Sequence, residues 1–362
     1  KATCKHTDDD DPPNQNKAAP TFDEDIIEQD AHKSEEASAH QGKLILDATV
    51  VEQAIRFPTD LSLLNESRQI SEHIIDVLHP LSRAKTKPRT YRQTAHKDYL
   101  GIVKQRRPKG KKLRGGIKKQ LQYLRRNLQH IEVQLDALPG RAIPLTYSLL
   151  RKYWIIQHVY AQQESMHRLK CKRCDHRIVS IHQPHVRPIV RGKTNKSVEF
   201  GAKLSVSLTT LGIASVDHIG WDAFHEGSDL PAQVEAYKQR YGYYPQSVLG
   251  DTIYGTRENR CYLKEKGILY SGKSLGRPPK VTEENQAEFK QLKKQRREDY
   301  RQRIPIEGKF GQGKNGYNLN FIRAKTAQTS EAWINSIFLV MKLMVLLKVF
   351  IWIYTCRYKY AF

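Results

Sequence analysis

Between residues 83 and 126, seventeen Lys or Arg face a single acid, Asp98. Buried unpaired charge is too costly for a core to absorb such a run, so this stretch must form a surface and interrupt the core built by its neighbours. A polyanion accounts for it better than bare solvation, because neutralising phosphates releases condensed counterions whatever the sequence. Nucleic acid is the expected partner. The sign reverses at the start: residues 1–40 hold eleven Asp or Glu against four Lys and show no sustained helical or strand period, which predicts an acidic disordered linker. Over all 362 residues the net charge is +23, and 39% apolar residues suffice for the packed core of one large domain or two smaller ones. Five scattered Cys are too few for a disulfide-built scaffold and point to a reducing compartment. With Lys1 in place of an initiator Met and no basic-then-apolar leader, the sequence is expected to be a fragment of a longer product.

Residues 43–52, KLILDATVVE, are apolar and β-branched, the pattern of a buried strand with one acid in its middle. Pro58 breaks it, and Thr59 sits where a helix cap would. Leu61, Leu64, Ile70, Ile74, Ile75 and Leu78 then trace a helical stripe. From 83 to about 170 the pattern is helical and basic, with no strand. Strand character is predicted over 177–181, 198–208 and 213–219, with Gly212 turning between the last two, and again over 246–251 and 268–271. Helices are predicted over 229–241 and 256–267, and a loop around 276–280. Strands that first meander and then alternate with helices describe an α/β chain: a mixed sheet flanked by helices, with a basic helical insertion after the first strand.

Three acids stand out by position. Asp47 lies inside LILDATVV, where a desolvated carboxylate needs a compensating cation. Asp251 ends the short apolar strand of VLGD, at the C-terminal edge where open α/β sheets place their sites. Glu307 belongs to YRQRIPIEGKFGQGK, in which Tyr300, Arg303, Glu307 and Lys314 are spaced so that a helix would gather them within about 60° of arc. A Tyr, two cations and a carboxylate suit a phosphodiester. Pro305 and the following glycines favour a helix that starts only near Pro305, which would keep just Glu307 and Lys314 on one face.

Taken together, LILDAT, VLGDTIYGTRENR and the Y-x2-R-x3-E-x6-K signature ending in FGQGK resemble the DDE transposases of bacterial insertion sequences, in the branch numbered family five, over residues 43–345. The stretch SIHQPHVRPIVRGKTNKSVEFGAKLSVS is also typical of that branch. The resemblance implies an RNase H-like fold, its first part at 41–82, the basic insertion at 83–170, the remainder at 171–345 and a C-terminal tail at 346–362. It implies catalysis by Asp47, Asp251 and Glu307 holding two Mg²⁺ ions, with Mn²⁺ as a substitute, and contacts of Tyr300, Arg303 and Lys314 with the transposon end. The implied activity is metal-dependent cleavage of double-stranded DNA at transposon ends and strand transfer into target DNA, by a homodimer when DNA-bound, in the bacterial cytoplasm at the nucleoid and not at a membrane. Members carry a helical domain ahead of the first catalytic strand, and the acidic segment here is too short to be one. The alternative is therefore an inactive, N-terminally truncated remnant that only binds nucleic acid.

Further DNA contacts are expected from Lys111, Lys112, Arg114, Lys118 and Lys119 in the basic block. Asp60 is the expected substitute if Asp47 points away. Cys171 and Cys174 form a C-x2-C pair near His167 and His176, but a second ligand pair at zinc-finger spacing is missing. The apolar run 333–354 is long enough to span a bilayer. It contains Lys342 and Lys348, so a buried terminal helix is expected instead.

Overall fold

The computed structural model describes residues 40–82, 85–138, 142–190, 198–273, 275–276 and 285–359, with side chains to 355. The acidic segment 1–39 and most of the loop expected at 276–280 lie outside the described residues. The sheet is organised around β1 (Lys43–Glu52), which pairs antiparallel with β3 (Val198–Thr209) from Leu44↔Thr209 to Glu52↔Gly201. Its other edge pairs parallel with β5 (Ser247–Leu249), which pairs parallel with β6 (Leu269–Tyr270). The far edge of β3 carries β2 (Arg187–Val190) and β4 (Ala214–Gly220) end to end, both antiparallel. A strand flanked on both edges and covered on both faces must be mostly apolar, which KLILDATVVE supplies apart from its ends, Thr49 and Asp47. Gly201 is required here: a Cβ at that position would stand 1.8 Å from the Val51 carbonyl oxygen.

Alternation along β1 sorts its side chains between two cores. Leu44 and Leu46 face Leu230, Val234 and Tyr237 of α5 (Leu230–Tyr241) and Leu263 of α6 (Arg257–Glu265). Ile45 and Val51 face Ile306 and Phe310 of α7 (Gln286–Gly316) and Ile334, Phe338 and Met341 of α8 (Ala327–Lys359). With period two, Asp47 falls on the α7 face. The result is a mixed sheet flanked by helices, consistent with an RNase H-like fold.

A separate helical core lies between β1 and β2 in sequence. α1 (Asp60–Leu78) begins at a reciprocal cap in which Thr59 and Ser62 satisfy one another's backbone donors. It packs with α3 (Gly110–Asp136) and α4 (Tyr147–Leu169) through Leu64, Ile74, Ile75, Leu124, Ile131 and Ile156, while α2 (Arg92–Val103) closes one side. The guanidinium of Arg68, wholly buried among them, pairs with Glu72 and Asn65 of its own helix. The basic run thus rides on helices whose inner face is apolar, and no strand interrupts 85–170 among the described residues.

Three expectations are corrected. The apolar residues of 177–181 do not form a strand: Ile178 and Ile181 are buried against the helical core, and the Gln162 amide occupies the backbone, accepting from Ile178 N at 3.0 Å and donating to His176 O at 3.1 Å. The helix around the signature does not begin at Pro305. α7 runs unbroken through it, because proline removes a single donor from the ladder while Ile306 and Phe310 on the next turns are locked into the core. The terminal helix is not buried as a whole. Ile334, Ile337, Phe338 and Met341 pack on the sheet, but from Leu343 to Tyr354 every large apolar side chain except Val345 is exposed. At 33 residues α8 is about 50 Å long, more than the sheet beneath it can cover.

Candidate active site

Asp47 projects from the middle of β1 toward α7. One carboxylate oxygen accepts the Ala48 N–H at 2.9 Å, and the other lies 3.8 Å from an Arg303 nitrogen. Burial pushes the Asp47 carboxyl above its ordinary value. The Ala48 N–H and Arg303 oppose that rise, and the neighbouring carboxylates Glu226 and Glu307 add to it. Arg303 also donates to Glu307 at 3.0 Å, one helical turn further along α7. The guanidinium therefore bridges the first and last acids of the expected triad.

Asp251 follows β5 by two residues. The parallel pairing of β1 with β5 runs from Lys43↔Ser247 to Ile45↔Leu249 and ends there, so Asp251 stands just past the paired strand. Its carboxylate accepts the Thr252 N–H at 2.6 Å and caps the 3-10 turn Thr252–Tyr254, while Tyr270 donates to its backbone oxygen at 2.9 Å. Among the described residues no three His, Cys, Asp or Glu side chains are gathered closely enough to hold a metal ion. In type, the three carboxylates are the hard oxygen donors that Mg²⁺ prefers, and the half-buried Asp47 has a positive neighbour in Arg303.

The continuity of α7 lets all four signature residues share a face. Tyr300 is exposed, with the Arg303 guanidinium 5.8 Å from its ring centroid, and Lys314 lies half-buried near the end of the helix. Glu226 and Lys203 are not legible as site residues in the sequence. Glu226 starts a 3-10 turn, pairs with Lys203 of β3 at 2.8 Å and bears electrostatically on Asp47. Within HEGSD nothing separates Glu226 from any other surface acid; only its electrostatic effect on Asp47 in the folded chain reveals it. Tyr254 is equally silent in the sequence. It is wholly buried, its hydroxyl has no hydrogen-bond partner among the described residues, and burial together with Glu226 and Asp47 drives its pKa far upward.

Residues 248–344 match the family model of the transposase DDE domain. That segment contains Asp251 and all of α7, and supports a DDE transposase with DNA as its partner; Asp47 lies outside it. No curated protein and no solved structure matches the chain.

The remaining candidates fall elsewhere. Lys111, Lys112, Arg114, Lys118 and Lys119 are exposed on α3, with Lys119 paired to Asp98 at 3.0 Å and Arg114 donating to the His167 carbonyl at 3.1 Å. Asp60 is engaged at the start of α1, accepting from Gln163 at 2.8 Å and pairing with Arg177. Cys171 accepts the Arg173 N–H in the loop after α4, and His176 faces Asp222 at 3.4 Å.

Proposed function

We propose that the chain is a DDE transposase of the insertion-sequence family-five type, which cuts double-stranded DNA at transposon ends and joins the freed end to target DNA. The observation that carries this reading is the placement of Asp47 and Glu307 on one guanidinium, that of Arg303, with Arg303, Glu307 and Asp251 all within the segment that matches the transposase DDE domain. Asp47, Asp251 and Glu307 would hold two Mg²⁺ ions, or Mn²⁺ in their place. Bound there, such ions supply a nucleophilic water or 3′-hydroxyl and stabilise the leaving oxygen. Arg303, a planar fork already aimed at two oxyanions, orients the scissile phosphate once its carboxylates are otherwise neutralised. Tyr300 and Lys314, on the same face of α7, hold the transposon end. The exposed cations of α3 bind the flanking duplex. The reading includes a homodimer on DNA and action in the bacterial cytoplasm at the nucleoid. A membrane role for α8 is disfavoured, since Ile334, Ile337, Phe338 and Met341 tie its first half into the sheet core.

One observation favours the inactive DNA-binding remnant: with Arg303 between the carboxylates, no group of three acids among the described residues is poised for a metal. A divalent-ion titration of the full chain separates the two. The enzyme nicks a duplex carrying the element's end in Mg²⁺, and Asp47→Asn abolishes nicking; a remnant binds the duplex without nicking it at any ion concentration.

A further inference from the structure

Where β1 leaves the sheet, the chain turns through Arg56 and Phe57 into the Thr59 cap of α1. Two adjoining clefts of about 430 and 560 Å³ open there, both lined by Arg56, Phe57, Pro58, Ser62 and Tyr99. These volumes fall within the roughly 300–1,000 Å³ that small-molecule sites occupy. Three kinds of group meet in them. The Phe57 ring is 72% exposed and is fixed by a perpendicular contact with Phe200, ring centroids 5.6 Å apart, which makes it a ready stacking platform. Gln183 lines the larger cleft at 5% exposure, and its buried Oε1 accepts no hydrogen bond among the described residues. A buried acceptor left unpaired is costly and is satisfied by a ligand N–H. Arg56 and Lys325 are exposed in the lining and form no ion pair among the described residues.

A flat apolar face, an amide able both to donate and to accept, and two exposed cations together suit a nucleotide better than an apolar peptide or a lipid. The clefts also adjoin the helical insertion that carries the basic run, since Tyr99 is on α2 and Leu113 and Ile117 of α3 line the smaller one. Gln183 belongs to SIHQPH, a stretch for which the proposed chemistry has no use.

We propose that this cleft receives one unpaired nucleobase of bound DNA, stacked on Phe57, with its polar edge on the Gln183 amide and its flanking phosphates on Arg56 and Lys325. Extruding a base costs unstacking energy, least where the base is already unpaired, so the site selects distorted or single-stranded positions. The inference rests on DNA being the partner and is independent of the acidic triad.

The test is binding of the full chain, at fixed salt, to two labelled duplexes of identical sequence, one fully paired and one with a single bulged 2-aminopurine nucleotide. The bulged duplex is expected to bind at least about five-fold tighter, the value of one stacked base, and the 2-aminopurine fluorescence to be quenched on binding. Phe57→Ala, at a position too exposed to threaten folding, removes both effects and leaves the affinity for the paired duplex unchanged. Gln183→Leu, checked by its melting curve, removes the preference while keeping the quenching. Equal affinities for the two duplexes in the unaltered chain, or a preference that survives both substitutions, overturn the proposal. If neither duplex binds, the DNA reading falls with it; if the paired duplex binds without preference for the bulge, only this proposal falls.

Discussion

Asp47 of β1 and Glu307 of α7, 260 residues apart in the chain (307 − 47), share one guanidinium, that of Arg303. Two carboxylates that bear on one another in this way repel unless a cation is near. In the structure that cation is Arg303, 3.8 Å from Asp47, delivered by a helix that also carries Glu307.

On the proposed reading Arg303 serves two states of the site, pairing with the carboxylates before ions bind and with the phosphate after. Arg303→Ala is expected to reduce cleavage by about 100-fold, the range for loss of a positioning group, while duplex affinity changes less than about three-fold. Arg303→Lys keeps the charge but not the fork, and is expected to recover binding geometry only in part. Single-turnover cleavage beside an equilibrium binding curve checks both. Equal cleavage by Arg303→Ala and the unaltered chain would remove Arg303 from the site.

The basic face of α3 should reveal itself in salt. Replacing Lys111, Lys112, Arg114, Lys118 and Lys119 together by Gln is expected to lower DNA affinity and to flatten the slope of log K against log[salt] by about 0.9 for each phosphate no longer neutralised. Lys119 and Arg114 have partners within the protein, so the slope is expected to fall by about 2.7, the value for three phosphates, rather than the roughly 4.5 of five. An unchanged slope would return this face to ordinary solvation.

The two halves of α8 differ sharply in what they support. Phe338→Ala, in the sheet core, is expected to cost about 3–5 kcal/mol of stability. Phe350→Ser, at a side chain 66% exposed, is expected to change it by less than about 0.5 kcal/mol. Chemical denaturation of the two variants measures this. Equal destabilisation would mean that the distal half of α8 is packed after all.

His185 makes stability depend on pH. Burial, with Arg187 and Arg151 nearby, pushes its pKa down to about 4, its ring edge-on to Trp221 at 4.4 Å and its Nε2 without a partner among the described residues. The unfolded imidazole takes up its proton near 6.5 and the folded one only near 4, so the unfolded state is favoured as pH falls through that window. His185→Gln is expected to shrink the loss of melting temperature between about pH 7 and pH 4.5. An identical acid-side loss in the variant would refute this role.

Much of this arrangement is readable in the sequence, because burial and charge leave marks that composition carries. Asp47 announces itself as the one acid in an apolar run, and Asp251 as the acid that follows a short apolar strand. Pro305 misleads for a physical reason: local propensity weighs one missing hydrogen bond, whereas Ile306 and Phe310, buried by contacts far apart in sequence, hold the helix through it. The same limit hides Glu226 and Tyr254, whose bearing on Asp47 depends on where separate loops meet. No strand forms at 177–181 because the side-chain amide of Gln162, a residue of α4, replaces a neighbouring strand as the backbone's partner.

Everything proposed for the site depends on Asp47, Asp251 and Glu307 acting as one catalytic group, and Glu307→Gln decides the matter. The substitution removes one carboxylate charge while preserving side-chain size and the cationic surface around it. The measurement is Mg²⁺-dependent cleavage of a duplex carrying the element's end, alongside binding of that duplex, for the full chain and the variant. Cleavage is expected to fall by at least about 100-fold with affinity within about three-fold. Cleavage that proceeds equally well without the Glu307 carboxylate would contradict a shared role for the three acids.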